Sequence, residues 1–225
     1  MKKWLLKTLV LAVFFAVAFA ASAEGIISAP YVRRAPVVDG VLDDDAWKIA
    51  EEKGGTGKIA YLLNAVPISD GWTSDVWVCW DDDFLYVAFK NYQPKNTVVA
   101  VSVNDGDPLW TNDDENEIFI STTYPGSRPY YQAIMNPLGA KSGLNGNLDW
   151  DVAAEIYDEY WVVEVAIPFY IFDNYYPEIG DEWSINLTRR SHAHAGGNGE
   201  WRCWSDLVVN TFLDPLTFGL LEFVQ

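Results

Sequence analysis

The chain has 225 residues, with 15 Lys and Arg against 32 Asp and Glu, and a formal charge of −17. That excess would repel nucleic-acid phosphates, so nucleic-acid binding is excluded. Half the residues are apolar and 15% are aromatic, enough to build a core and to exclude wholesale disorder.

Residues 1–23 read as a secretory signal peptide: Lys2, Lys3 and Lys7 flank an apolar run over 9–20, followed by Ala21-Ser22-Ala23. The run is short for a membrane span of about 20 residues. Removal leaves 24–225 as one domain with 12 basic and 32 acidic side chains, expected outside the cytoplasm (periplasmic or extracellular) and free of the membrane. A brief helix is expected over 43–51, with an acidic first turn and Trp47 turned inward as a plug. The apolar pattern thereafter has period two. Strands are expected over 76–80 and 85–89, joined through Asp81-Asp82-Asp83 as a hairpin, then over 97–103, 117–121, 130–135, 152–157, 160–167, 183–189 and 218–224. Gly, Asn, Asp and Pro clusters separate them, as in Asn104-Asp105-Gly106-Asp107-Pro108. Many short strands without intervening amphipathic helices specify an all-β fold, an antiparallel β-sandwich or barrel. Cys79 and Cys203 could pair in an oxidising compartment or stay as two buried thiols, each set among aromatic residues.

Several segments, taken in order, resemble family 9 carbohydrate-binding modules. Pro36-Val37-Val38-Asp39-Gly40-Val41-Leu42-Asp43-Asp44-Asp45-Ala46-Trp47 looks like the family's opening signature. The hairpin 78–88, the stretch from Trp110 through Asp114 to Glu117-Ile118-Phe119-Ile120, the strand 161–168, Trp204-Ser205-Asp206 and Phe218-Gly219-Leu220-Leu221 follow in the family's order. The resemblance implies a β-sandwich and a sugar ligand held between two aromatic rings with polar groups at the rim. The chemistry is sound on its own terms. A pyranose has apolar C–H faces that stack on rings, and hydroxyls that want carboxylate, amide or guanidinium partners.

By that resemblance Trp110 is the first stacking ring, although its spacing to the following acids is one residue longer than in the family's pattern. Asp114 and Glu117 match the acidic rim. Gln132 stands where the family carries an Arg, so two hydrogen bonds remain possible without the charge. Phe212 falls at the second stacking position in place of Trp, with Asn210 beside it. Each residue also has a purely structural reading: Trp110 and Phe212 as core, Asp114 and Glu117 as a solvated acidic face, Gln132 as a satisfied strand residue.

No Gly-x-Ser-x-Gly elbow, phosphate-binding loop or His-Glu-x-x-His helix is present, and the chain reads as a non-catalytic module. No cofactor is required. Metal readings are His192-Ala193-His194 with Glu200 or Cys203, and a structural calcium at acid- and amide-rich turns such as 104–107. The rival function is electron transfer by a haem domain of the related DOMON type, with Met135 and His192 or His194 as ligands. The expected partners are a poly- or oligosaccharide and a separate glycoside hydrolase.

Overall fold

The computed structural model describes residues 25–63, 65–69, 71–192, 200–206 and 211–225. The signal segment, His194 and Asn210 lie outside these residues. In chain order the elements are β1 (Ile26–Pro30), α1 (Asp45–Lys53), β2 (Thr56–Ile59), β3 (Tyr61–Leu62), β4 (Val66–Pro67), β5 (Ser74–Trp80), β6 (Phe84–Tyr92) and β7 (Glu115–Ser121). There follow β8 (Tyr131–Met135), β9 (Lys141–Gly143), β10 (Asp151–Ile156), β11 (Tyr160–Pro168), β12 (Glu182–Ser191), β13 (Glu200–Cys203) and β14 (Gly219–Val224).

Two sheets face each other. The smaller has five antiparallel strands in the order β10-β11-β6-β5-β2. The larger runs β4-β3-β13-β12-β7-β8-β9. In it β12 is long enough to pair twice along one edge, with β14 over Glu182 to Ile185 and with β13 over Thr188 to Ser191. Among the described strands the pairing is antiparallel as expected except that β1 adds to β14 in parallel, pairing Ile26 with Leu220 through Pro30 with Val224.

Period-two alternation feeds a single apolar layer between the sheets. Val76, Val78 and Trp80 of β5 meet Ile118 and Ile120 of β7 and Trp183, Ile185 and Leu187 of β12. Trp183 sits edge-on to Phe169, Phe172 and Phe223 at centroid distances of 6.0, 5.3 and 4.9 Å. Such edge-to-face contacts add to the area term for burying large rings. Cys79 lies beneath α1 in the smaller sheet and Cys203 lies in the larger; both are buried free thiols whose ionisation burial disfavours.

The expected strand over 97–103 is the main departure. This segment is irregular, because side chains instead of a neighbouring strand satisfy its backbone. Asp114 Oδ2 accepts from Val99 N at 3.0 Å, and Asp113 accepts from Val101 N, from Ser102 N at 3.1 Å and from Ser102 Oγ at 2.6 Å.

The opening signature has a physical purpose. Glu164 on β11 is buried and accepts three hydrogen bonds: Asp39 N at 3.0 Å, Gly40 N at 2.7 Å and Trp47 Nε1 at 2.7 Å. Burial lifts its carboxyl above the usual range, and the three donors oppose that rise. One carboxylate thereby ties the loop before α1, and α1 itself through Trp47, to the outer face of the smaller sheet. Gly40 has φ +87° and a Cβ there would come within 3.1 Å of the β10 backbone, so glycine is required. Glu164→Ala strands three donors and should cost about 3 kcal/mol or more in chemical denaturation. Glu164→Gln, which keeps acceptor capacity at one oxygen, should lose less.

Candidate functional site

The outward face of the larger sheet is built by the residues that alternate with the core. On β7, Asn116, Ile118 and Ile120 point between the sheets, leaving Glu115, Glu117 and Phe119 on the other face. Register places these in cross-strand rows. Trp201, Arg190 and Glu115 form one row; Cys203, Thr188, Glu117, Ile134 and Ser142 the next; Asn186, Phe119 and Gln132 the third.

Over this face lies a depression of about 370 Å³ lined by Trp110, Gln132, Ile134, Ser142, Gly143 and Leu148. A second, of about 320 Å³, shares Gln132, Gly143 and Asn145 with it and extends to Arg128 and Tyr130. Trp110 occupies a short 3-10 turn, Leu109–Thr111, and is 48% exposed. The turn is anchored by Leu109, which packs in a small apolar cluster with Ile134 and Ala140. That anchoring holds the indole out over the depression instead of letting it collapse inward. Gly143 has φ +98°, and a Cβ would lie 2.0 Å from the Gln132 carbonyl oxygen, so the wall can pass close to Gln132 only as glycine.

Gln132 is half-buried on β8, and its Nε2 donates to Glu117 Oε2 at 2.8 Å. An ionised carboxylate only accepts, so the amide must turn its NH2 toward Glu117. Glu117 itself is 1% exposed and lies beneath Gln132. Burial raises the pKa of both Glu117 and Glu115, most strongly Glu115, whose neighbour Glu117 adds to the rise while Arg190 pulls both down. Ser142 Oγ, Asn186 Nδ2 and Thr188 Oγ1 are buried on this face without a partner among the described residues.

Asp114, expected at the rim, is fully covered. Its Oδ2 accepts from Gln93 Nε2 at 2.8 Å and from Val99 N, and its Oδ1 accepts from His192 N at 2.6 Å. It is a clamp joining three segments behind the candidate site. Phe212 is half-buried and packs on Phe119 at 5.5 Å and on Trp201 at 4.7 Å. Trp201 was not singled out by sequence reasoning. Its strand has four residues, yet the alternation Glu200-Trp201-Arg202-Cys203 sets Trp201 on the face of the site, with the Arg190 guanidinium 4.9 Å from its ring centroid.

No group of three or more His, Cys, Asp or Glu residues is placed to hold a metal among the described residues. Glu200 pairs with Arg202 at 2.6 Å, and Asn104 Nδ2 donates to Asp107 at 3.3 Å. Met135, the haem ligand of the rival reading, is fully buried in the apolar layer between the sheets.

Residues 38–225 match the family model described as carbohydrate family 9 binding domain-like, and the chain belongs to that family. Several solved structures share the fold, among them two family 9 modules. A family 9 carbohydrate-binding module from Caldicellulosiruptor kristjanssonii in complex with cellotriose aligns at TM-score 0.67 and 18% identity, over 88% of this chain and 93% of its own. The same organism's module in complex with glucose gives 0.65 and 18%, over 88% and 94%. No curated protein matches the chain.

The clamp at Asp114 has a direct test. Asp114→Ala should lower stability by about 2 kcal/mol in urea denaturation, since it strands a buried amide and two backbone N–H groups. A change in ligand affinity without that loss would return Asp114 to the rim.

Proposed function

We propose that the protein is a non-catalytic carbohydrate-binding module acting outside the cytoplasm, which holds a sugar ring on the outward face of its larger sheet. The observation that carries this is an exposed indole beside an oriented amide. Trp110 offers a flat apolar surface for the C–H face of a pyranose, and Gln132, its NH2 turned to Glu117, keeps Oε1 and its second N–H for hydroxyls. Phe212, backed by Trp201, supplies the second ring. Asn210 stands beside it in sequence. Glu117 acts through Gln132, while Ser142, Asn186 and Thr188 hold further hydrogen-bonding capacity on the same face.

Cellotriose and glucose, the ligands of the two similar structures, are the natural first probes. A separate glycoside hydrolase is the partner such a module would serve. Catalysis is disfavoured on geometric grounds. Glycoside hydrolysis needs two carboxyl groups flanking an open site, whereas Glu115 and Glu117 are neighbours on one strand and both are covered.

Small polar sites of this kind bind with about −4 to −8 kcal/mol, millimolar to micromolar. Trp110→Ala should abolish cellotriose binding in titration calorimetry while leaving thermal stability within about 1 kcal/mol. Loss of folding in that variant would make the indole a core element, and unchanged affinity would remove it from the site.

A further inference from the structure

We propose that Glu115 is a positioning residue of this site: its carboxyl keeps a proton and donates it to Glu117, which holds Glu117 as the acceptor that orients Gln132 toward the ligand. The proposal rests on the sugar-binding reading above.

The geometry begins with spacing. Glu115 and Glu117 are two residues apart on one strand, so their side chains emerge on the same face, and both are at most 1% exposed. Neither Glu115 oxygen receives a hydrogen bond from an N–H or O–H group among the described residues. A fully ionised, covered carboxylate in that state would carry an uncompensated desolvation cost. The group in reach is the Glu117 carboxylate, and two carboxyl groups can hydrogen-bond only if one of them holds a proton.

The surrounding charges decide which one. From β12, Arg190 lies directly opposite Glu115 and stacks on Trp201. Thr188, opposite Glu117, is neutral. From β8 the facing group is the neutral amide of Gln132, which donates to Glu117 and favours its ionised form. Asp113, just before β7, adds a further negative charge near Glu115. One nearby cation stands against three acidic groups, and the donor from β8 goes to Glu117. The proton therefore resides on Glu115.

The consequence is a relay of fixed polarity: Glu115 O–H donates to Glu117, Glu117 accepts from Gln132 Nε2, and Gln132 Oε1 faces the depression. When Glu115 ionises at higher pH, two like charges share one buried strand face and the relay loses its first link. Stability follows the same sign. The folded protein holds the Glu115 proton more tightly than the unfolded chain, whose ordinary value is 4.5, so this contribution is fully present below that pH and is lost as pH climbs above it.

The test uses the full chain with cellotriose as probe, titrated from about pH 8, where Glu117 is ionised, to about pH 11, past the Glu115 value of about 10. Wild-type affinity should fall about tenfold as pH rises through about 10. Glu115→Gln, whose amide donates at any pH, should bind as tightly as wild type at about pH 8 and stay flat as pH rises. Glu115→Met, similar in size without a donor, should bind about tenfold more weakly throughout. Thermal melts of the unliganded proteins provide a reading that needs no sugar: the Glu115→Gln melting temperature should rise relative to wild type as pH increases. Equal pH slopes for wild type and Glu115→Gln, in binding or in melting, would overturn the proposal even should Glu115→Met fail to fold. Wild type that binds neither cellotriose nor glucose at any pH would overturn the sugar-binding reading itself, and the positioning role with it.

Discussion

The outward face of the larger sheet depends on the register of β7, and that register is set by a polar contact buried between the sheets. Asn91 Nδ2 on β6 donates to Asn116 Oδ1 at 2.7 Å, Asn116 Nδ2 returns a bond to Asn91 Oδ1 at 3.2 Å and also reaches the Thr188 carbonyl, and Ser74 Oγ donates to Asn91 at 2.6 Å. A buried amide pair has one arrangement that satisfies it and many that strand it. Sliding β7 by one residue would break this set, turn Ile118 and Ile120 to the outside, and drive Glu115 and Glu117 into the apolar layer. The network is small beside the aromatic core, yet it specifies which strand face carries Glu115, Glu117 and Phe119.

Acidic residues in this chain do more than keep it soluble. Glu164 gathers the loop before α1, Asp113 and Asp114 hold the irregular segment over 97–103, and Asp81 closes the β5–β6 turn by accepting from Asp83 N and Phe84 N, both at 2.9 Å. In each case a short side chain supplies acceptors to backbone N–H groups that no neighbouring strand can reach, which is how irregular segments avoid stranded donors. The net charge of −17 is thus partly a record of internal caps.

This explains which parts of the molecule were legible in the sequence. Long strands of strict alternation, such as β5, β6, β11 and β12, announce themselves because one face is buried along their whole length. The two- to four-residue strands β2, β3, β4, β9 and β13 hold too few alternations to stand out, and the parallel β1–β14 pairing is a tertiary choice that alternation does not encode. The exposure of Trp110 follows from its place after Pro108 in a turn. Asp114 misled because acceptors for backbone donors and acceptors for a ligand are the same chemical group, and only the fold decides which donors arrive. Trp201 escaped notice for the same reason as β13: four residues hold too few alternations to show which face the ring takes.

A neutral amide where the resemblance implies a guanidinium changes what a site can ask of its ligand. Arginine only donates, whereas Gln132 can present either a donor or an acceptor, and an amide free to flip would offer both with little preference. Here the choice is made below the ligand. While ionised, Glu117 has no proton to donate and can only accept, so the NH2 is drawn down and the carbonyl is left facing outward, beside the indole of Trp110. On the proposed sugar-binding reading, selectivity moves from charge to polarity: a sugar hydroxyl that donates toward Gln132 Oε1 is rewarded, and one held as an acceptor by its own ring neighbours is not. The orientation of one surface amide is therefore set by two buried carboxyl groups on a single strand, and the register that placed them there comes from the asparagine pair on the other side of the same sheet.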